Sequence, residues 1–257
     1  MRIRDQVYSN PSGVPLRFDL LAPESDRPLP LVVCIHGGGW ISGDKEDMDD
    51  IVSLFASNGY AAAAPQYRLA PLYPFPAAII DCLNFIRYAR EQATKLNIDP
   101  RKIASFGNSA GGHLASMVGV VDRFPQEAPE TLSGRVQAVV DLCGISDIND
   151  PRVHHNPIAW SFLEQLMEVP YEGNEEKFRL ASPVSHVDRH SAPFLIIHGE
   201  DDDVVPIDQS EKMAAALRGN EVPVAFVRMP GEGHAFSQHA WPFLAQTALE
   251  FLGKTLA

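Results

Sequence analysis

Cysteine is scarce in this chain, long apolar runs are missing, and positive charge is in short supply. The 257 residues hold only 3 cysteines. Cys34, Cys82 and Cys143 are odd in number and far apart in sequence, which argues against a disulfide framework and fits small buried hydrophobes. No stretch approaches the ~18 consecutive apolar residues that a membrane-crossing helix needs. No apolar run of signal-peptide length follows the start of the chain either. We therefore expect a cytoplasmic protein without stable membrane association. Lys and Arg number 21 against 33 Asp and Glu, a net charge of −12. With no basic run to meet phosphates, nucleic acid is a poor partner. The chain is 45% hydrophobic and 21% charged, the composition of a globular domain with a sizeable core. Its length suits one large domain over 1–257, with at most a small addition.

The apolar residues are distributed as short runs between helical patterns. Strand-like segments cover 18–21, 31–35, 61–64, 103–106, 138–143, 194–198 and 224–229. Helical spacing is expected over 49–57, from about Pro76 to Leu96, over 110–121, over 158–167 and over roughly 241–252. Continuous apolar strands alternating with helices predict an α/β fold: a mostly parallel central sheet with helices on both faces. The long stretch between Cys143 and Pro193 has no strand. A connection of that length in a compact domain is usually functional, and we expect 144–192 to form a small cap insertion over the active site.

Gly107-Asn108-Ser109-Ala110-Gly111-Gly112 sits between the strand-like run 103–106 and the helical run 110–121. A serine on a tight strand-to-helix turn has its hydroxyl pushed out of the sheet, and its neighbours must be small because backbones crowd there. The free N–H groups of the helix start lie beneath it. A serine hydroxyl is a poor nucleophile at neutral pH and needs a base, an orienting carboxylate and oxyanion donors. One of the chain's 9 histidines, His234, follows the run 224–229 on a Gly-rich loop and is the base candidate. Glu200, Asp201, Asp202 and Asp203 follow the run 194–198, and any one of them could orient that histidine. A calcium role for these acids is disfavoured because EF-hand spacing is absent, and no metal is expected. His36-Gly37-Gly38-Gly39-Trp40 follows the run 31–35. Consecutive glycines there let backbone N–H groups point into a site. No P-loop or dinucleotide spacing accompanies them, so no cofactor is expected.

This combination resembles the α/β-hydrolase superfamily, and within it the hormone-sensitive-lipase-like and feruloyl-esterase-like carboxylesterases. The resemblance rests on HGGGW at 36–40, YRLAP at 67–71 with FPAA at 75–78, GNSAGG at 107–112, the 198–206 loop and Gly233-His234, nearly the whole chain. It implies Ser109 as nucleophile, His234 as base and Asp202 as acid, with Asp201 and Asp203 as fallbacks. It also implies an oxyanion hole of the Gly38, Gly39 and Ala110 N–H groups, and a brace between Arg68 and Asp81 before the long helix. Larger lipase-like relatives carry a long cap before the HGGG strand. Here about thirty residues precede Leu31, which implies a more open site suited to short or extended esters.

The expected activity is hydrolysis of small-molecule carboxylic esters, short-chain acyl or aryl, through an acyl-enzyme on Ser109. Alternatives are an amidase such as an arylformamidase, or a small peptidase, with the same triad, and a non-catalytic ligand-binding scaffold. Candidate pocket residues are Trp40, Phe75, Trp160 and Phe236, together with Ile41, His154, His155 and Phe162. Each of them could instead pack in the core or cap.

Overall fold

Every residue from Leu31 to Ile35 is buried, and alternate side chains enter two different cores. Leu31, Val33 and Ile35 join one, Val32 and Cys34 the other. The same alternation divides Ala61 and Ala63 from Ala62 and Ala64, and Phe194 and Ile196 from Leu195 and Ile197. Side chains on a strand point to opposite faces. A run that is apolar at every position therefore needs cover on both, and this sheet has it.

The computed structural model describes residues 1–124, 127, 131–154 and 156–257. The chain runs β1 (Arg2–Ser9), β2 (Leu16–Leu21), β3 (Leu29–Ile35), α1 (Asp49–Ser57), β4 (Ala61–Pro65), α2 (Ala77–Glu91), α3 (Ala93–Leu96), β5 (Ile98–Asn108) and α4 (Ala110–Val120). It continues through β6 (Ala138–Leu142), α5 (Pro151–His154), α6 (Pro157–Met167), α7 (Glu175–Leu180), β7 (Phe194–Gly199), α8 (Asp208–Gly219), β8 (Val224–Met229) and α9 (Trp241–Thr255). Among the described residues these strands form one sheet of 8 in the order β1-β2-β4-β3-β5-β6-β7-β8. β1 pairs antiparallel with β2, and β2 with β4; the remaining pairs are parallel. α1 and α9 cover one face, contributing Phe55 and Leu252 to its core. α2, α4 and α8 cover the other, with Phe85, Leu114 and Met213.

The strand order reverses between β3 and β5, which pair directly with Val32 opposite Ala104 and Ile35 opposite Gly107. At such a switch point the loops leaving two neighbouring strands part to opposite faces and open a crevice at their carboxyl ends. The turn carrying Gly37 to Gly39 leaves β3 there, and Ser109 leaves β5. The loops carrying Asp202 and His234 leave β7 and β8 on the same edge. Behind this edge, Arg68 donates to both oxygens of the buried Asp81 carboxylate at 2.8 Å, bracing the loop that precedes α2. Burial pushes this carboxyl up, against the pull of the guanidinium.

Several elements differ from the sequence expectation, the short helices α5 and α7 among them. The N-terminal edge is a full hairpin, with β1 a strand in its own right. The helix expected from Pro76 to Leu96 is two, α2 and α3, parted at Gln92, and Asn97 closes the second in the left-handed region at φ 52. α8 has no counterpart in the hydrophobic pattern because its buried face carries Gln209 and Ser210 beside Met213, Ala214 and Leu217. The reason those polar groups are buried lies in the site.

Candidate active site

Ser109 stands between β5 and α4 with φ 56 and ψ −122, a conformation that costs a non-glycine residue of order 1–3 kcal/mol. The flanking glycines show what holds it there. A Cβ on Gly107 would lie 2.2 Å from the Gly111 carbonyl oxygen, and one on Gly111 would lie 2.1 Å from that of Ile35. The start of α4 is thus pressed onto the ends of β5 and β3, and the chain passes from strand to helix only through a strained corner. The Ser109 N–H donates to the Leu142 carbonyl at 2.9 Å, anchoring the corner to β6.

From this corner Ser109 Oγ lies 2.9 Å from Nε2 of His234, and Nδ1 of the same ring lies 2.8 Å from Oδ2 of Asp202. The carboxylate accepts at Nδ1, so the proton sits there and Nε2 is free to accept from the serine. The Asp202 side chain is fully buried while that of His234 is 21% exposed. Oδ1 of Asp202 accepts the N–H groups of Val204 and Val205 at 2.9 and 2.8 Å. Oδ2 also lies 3.1 Å from Nε2 of His198. Burial alone would push this carboxyl up, but hydrogen bonds from His198 and His234 outweigh it and hold it well below the usual carboxylate range. Asp201 and Asp203, the two fallbacks, are exposed on the same loop.

Gly38 and Gly39 have φ of 104 and 60, and together with Ala110 they line the cleft that holds Ser109 and His234. Trp40, at φ 62, continues the turn. Its indole N–H donates to Nδ1 of His113 at 3.1 Å, beneath the site. Burial lowers His113 to about 4, so the ring stays neutral and accepts. A Cβ on Gly39 would meet the Phe162 ring at 2.4 Å, so α6 packs directly on the glycine turn.

The cleft has a volume of about 420 Å³. Ile145, Ile158, Ala159 and Phe162 form its apolar side, with Val204 and Val205 next to the acid. Of the expected pocket residues, Trp40 and Phe162 line it. Phe75 does not: it is buried against Phe124 with ring centroids 5.6 Å apart. Trp160 turns to the other side of α6 and stacks on Phe178 at 6.3 Å. Phe236 is buried in the core beneath α9, and Ile41 packs against the opposite core. Aromatic type in the sequence did not separate wall from core, because the roll of each helix and the hand of each turn decide that. His155 and the side chain of His154 lie outside the described residues.

Asn156 joins α6 to the acid loop. Its side-chain oxygen caps α6 by accepting the N–H groups of Ile158 and Ala159 at 3.0 and 3.1 Å. Its amide donates to the carbonyls of Asp203 and Val204 at 3.0 and 3.1 Å. Asn-Pro before an apolar helical run was the available signal for the cap. Cys143, Asp202 and His234 offer donor atoms within 4.8 Å of one another. They do not fit a resident metal: Asp202 and His234 are spent on each other, and burial pushes the Cys143 thiol well above its ordinary range, away from the thiolate a metal needs.

Residues 18–217 match the BD-FAE family. The chain belongs to this family. The BD-FAE chain has the α/β-hydrolase fold, and a thermophilic esterase of Thermogutta terrifontis, Est2, superposes on it with a TM-score of 0.83 at 25% identity, covering 97% of this chain and 91% of that one. The same esterase, phosphonylated by sarin, superposes at 0.84, again at 25% identity, covering 97% and 94%. Esterase LipC of Mycobacterium tuberculosis is 33% identical over 216 residues, 82% of this BD-FAE chain and 54% of LipC. An arylesterase of Saccharolobus solfataricus is 34% identical over 219 residues, 80% of this chain and 68% of the arylesterase. The chain spans about half the length of the mycobacterial esterases it matches. No helix among the described residues is long and apolar enough to cross a membrane.

Proposed function

We propose that this protein is a serine carboxylesterase acting on small esters of short acyl or aryl acids. The observation that carries the reading is the unbroken line Ser109–His234–Asp202, at 2.9 and 2.8 Å, opening on a cleft faced by a glycine turn. Ser109 Oγ attacks the ester carbonyl as His234 Nε2 takes its proton. Asp202 holds the ring's tautomer and stabilises the imidazolium. The N–H groups of Gly38, Gly39 and Ala110 receive the oxyanion, each such donor contributing about 2.7–4 kcal/mol to lowering the barrier. His234 then protonates the departing alkoxide, and water resolves the acyl-enzyme by the same steps in reverse. The esterase and arylesterase names of its relatives support the substrate class. So does an apolar cleft with Phe162 and Ile158 on one wall.

In this reading 144–192 acts as a small cap on a single domain, with α6 supplying the acyl wall. We assign the protein to the cytoplasm, where its three free, buried cysteines stay reduced. A panel of p-nitrophenyl acetate, feruloyl and acetyl-xylan esters against formyl-kynurenine tests the substrate class. Esters are expected to be preferred in kcat/KM, and faster turnover of the amide would overturn the reading. Replacing each acid of the 201–203 loop in turn tests the assignment of roles. Asp202→Asn should reduce kcat by about 10⁴-fold, because an amide no longer enforces the tautomer. Asp201→Asn and Asp203→Asn should stay within a few-fold of wild type. A comparable loss at either exposed acid would refute the role given to Asp202.

A further inference from the structure

The geometry points to His198 as a positioning residue: its buried imidazole shares the Asp202 carboxylate with His234, fixing the rotation of that carboxylate and dividing its charge between two rings. This rests on Ser109–His234–Asp202 being the reacting line.

His198 is the fifth residue of β7 and has no solvent exposure. Its Nε2 lies 2.8 Å from the Val205 carbonyl and 3.1 Å from Asp202 Oδ2, both acceptors. Its Nδ1 lies 2.7 Å from the Ser210 hydroxyl on α8. The one proton on Nε2 goes to the Val205 carbonyl, the shorter contact, and is shared towards Asp202, while Ser210 donates to Nδ1. This accounts for the buried serine on the core face of α8, and it lengthens the line to five side chains, Ser210–His198–Asp202–His234–Ser109. Asp202 then accepts three N–H groups, from Val204, Val205 and His234, and His198 Nε2 stands 3.1 Å from the same Oδ2, so the two imidazoles draw on one oxygen. Each donor that draws on that oxygen weakens its pull on the His234 proton. The carboxylate still holds the tautomer of His234 through the 2.8 Å contact at Nδ1. Among the described residues, β6 and its end bring two further ionisable groups to this cluster. Asp141 is pushed up by burial and held by Ser116 and the Gly144 N–H. The Cys143 thiol is likewise pushed up by burial. α8 presents the uncharged Ser210.

Two variants of the full chain separate positioning from mere support. His198→Gln carries an amide N–H to about the position of Nε2, restoring a donor to Asp202. His198→Asn ends level with Nδ1, keeping a partner for Ser210 while withdrawing the donor from Asp202. The pH profile of kcat/KM for p-nitrophenyl acetate is measured for both, with the far-downfield proton resonance of the His234–Asp202 bond. In the Asn variant the whole negative charge falls on His234 and stabilises its protonated form. The acidic limb should therefore move to higher pH, by about half a unit or more, and the resonance should shift. The Gln variant should keep both near wild type. Equal losses in the two variants with an unmoved limb, or wild-type behaviour in both, would overturn the inference. If the Asn variant does not fold, the resonance is read in Ser210→Ala, where a shift supports the positioning role and an unmoved signal overturns it. Ser109→Ala in the same assay keeps the two claims apart: retained hydrolysis there refutes the triad itself, whatever His198 does.

Discussion

Ser109→Ala is expected to lower kcat/KM for p-nitrophenyl acetate by about 10⁴-fold or more while leaving the thermal midpoint near that of wild type. In the proposed mechanism the hydroxyl oxygen forms the acyl bond, and the strained corner in front of α4 contributes nothing to activity without it. The fold loses little. The Ser109 backbone bond to Leu142 remains, and His234 Nε2, on a ring 21% exposed, can turn to water. A fluorophosphonate probe should label the wild type and fail on the variant. Because φ at this position is 56, Ser109→Gly should go further and raise the midpoint, relieving a conformation glycine adopts freely. Appreciable turnover or labelling in Ser109→Ala would remove Ser109 from the mechanism.

The second large effect is on folding. Gly111→Ala should destabilise the protein by about 3 kcal/mol or more, at the upper end of what an added methyl costs in a packed core and a large share of the stability of an ordinary domain. The added methyl would stand 2.1 Å from the Ile35 carbonyl oxygen and 2.6 Å from that of His36, both backbone atoms. Neither can rotate away, so α4 and the end of β3 must separate, and with them the corner at Ser109 and the glycine turn after β3. Gly253→Ala is the control. Its methyl would find only the Tyr60 hydroxyl, at 3.9 Å, and alanine within α9 should stabilise by about 0.5–1 kcal/mol. Denaturant midpoints for the pair check both; a Gly111→Ala protein as stable as wild type would mean that the crowding is not real.

Much of this arrangement is legible in local sequence, for a physical reason. Strands buried on both faces must be apolar throughout, so β3, β4 and β7 stand out. Close backbone approach tolerates glycine, so the turns after β3 and β5 announce themselves. The Arg68–Asp81 brace and the three members of the line are set by short motifs and lie where those motifs suggest. What the pattern hides is whatever two distant segments settle between them. α8 buries Gln209 and Ser210 because Ser146 and His198 are waiting for them, so its buried face does not read as apolar. His198 stands in sequence only as the start of the 198–206 loop; its contact with Asp202 becomes meaningful once α8 supplies Ser210. Phe75, Trp160 and Phe236 are aromatic for the sake of packing, and only the roll of α6 reveals that Ile158 and Phe162, not Trp160, face the cleft.

The double grip of Asn156 has a consequence for how such a protein diversifies. One side chain both starts the helix that walls the cleft and holds the carbonyls of the loop that carries the acid. Wall and acid loop are therefore mechanically one part. A substitution that tilts α6 to admit a bulkier substrate also drags on the carboxylate, so altered selectivity and slower chemistry arrive together. Lineages of this architecture would widen their substrate range by trimming Phe162 or Ile158 in place rather than by moving the helix that bears them.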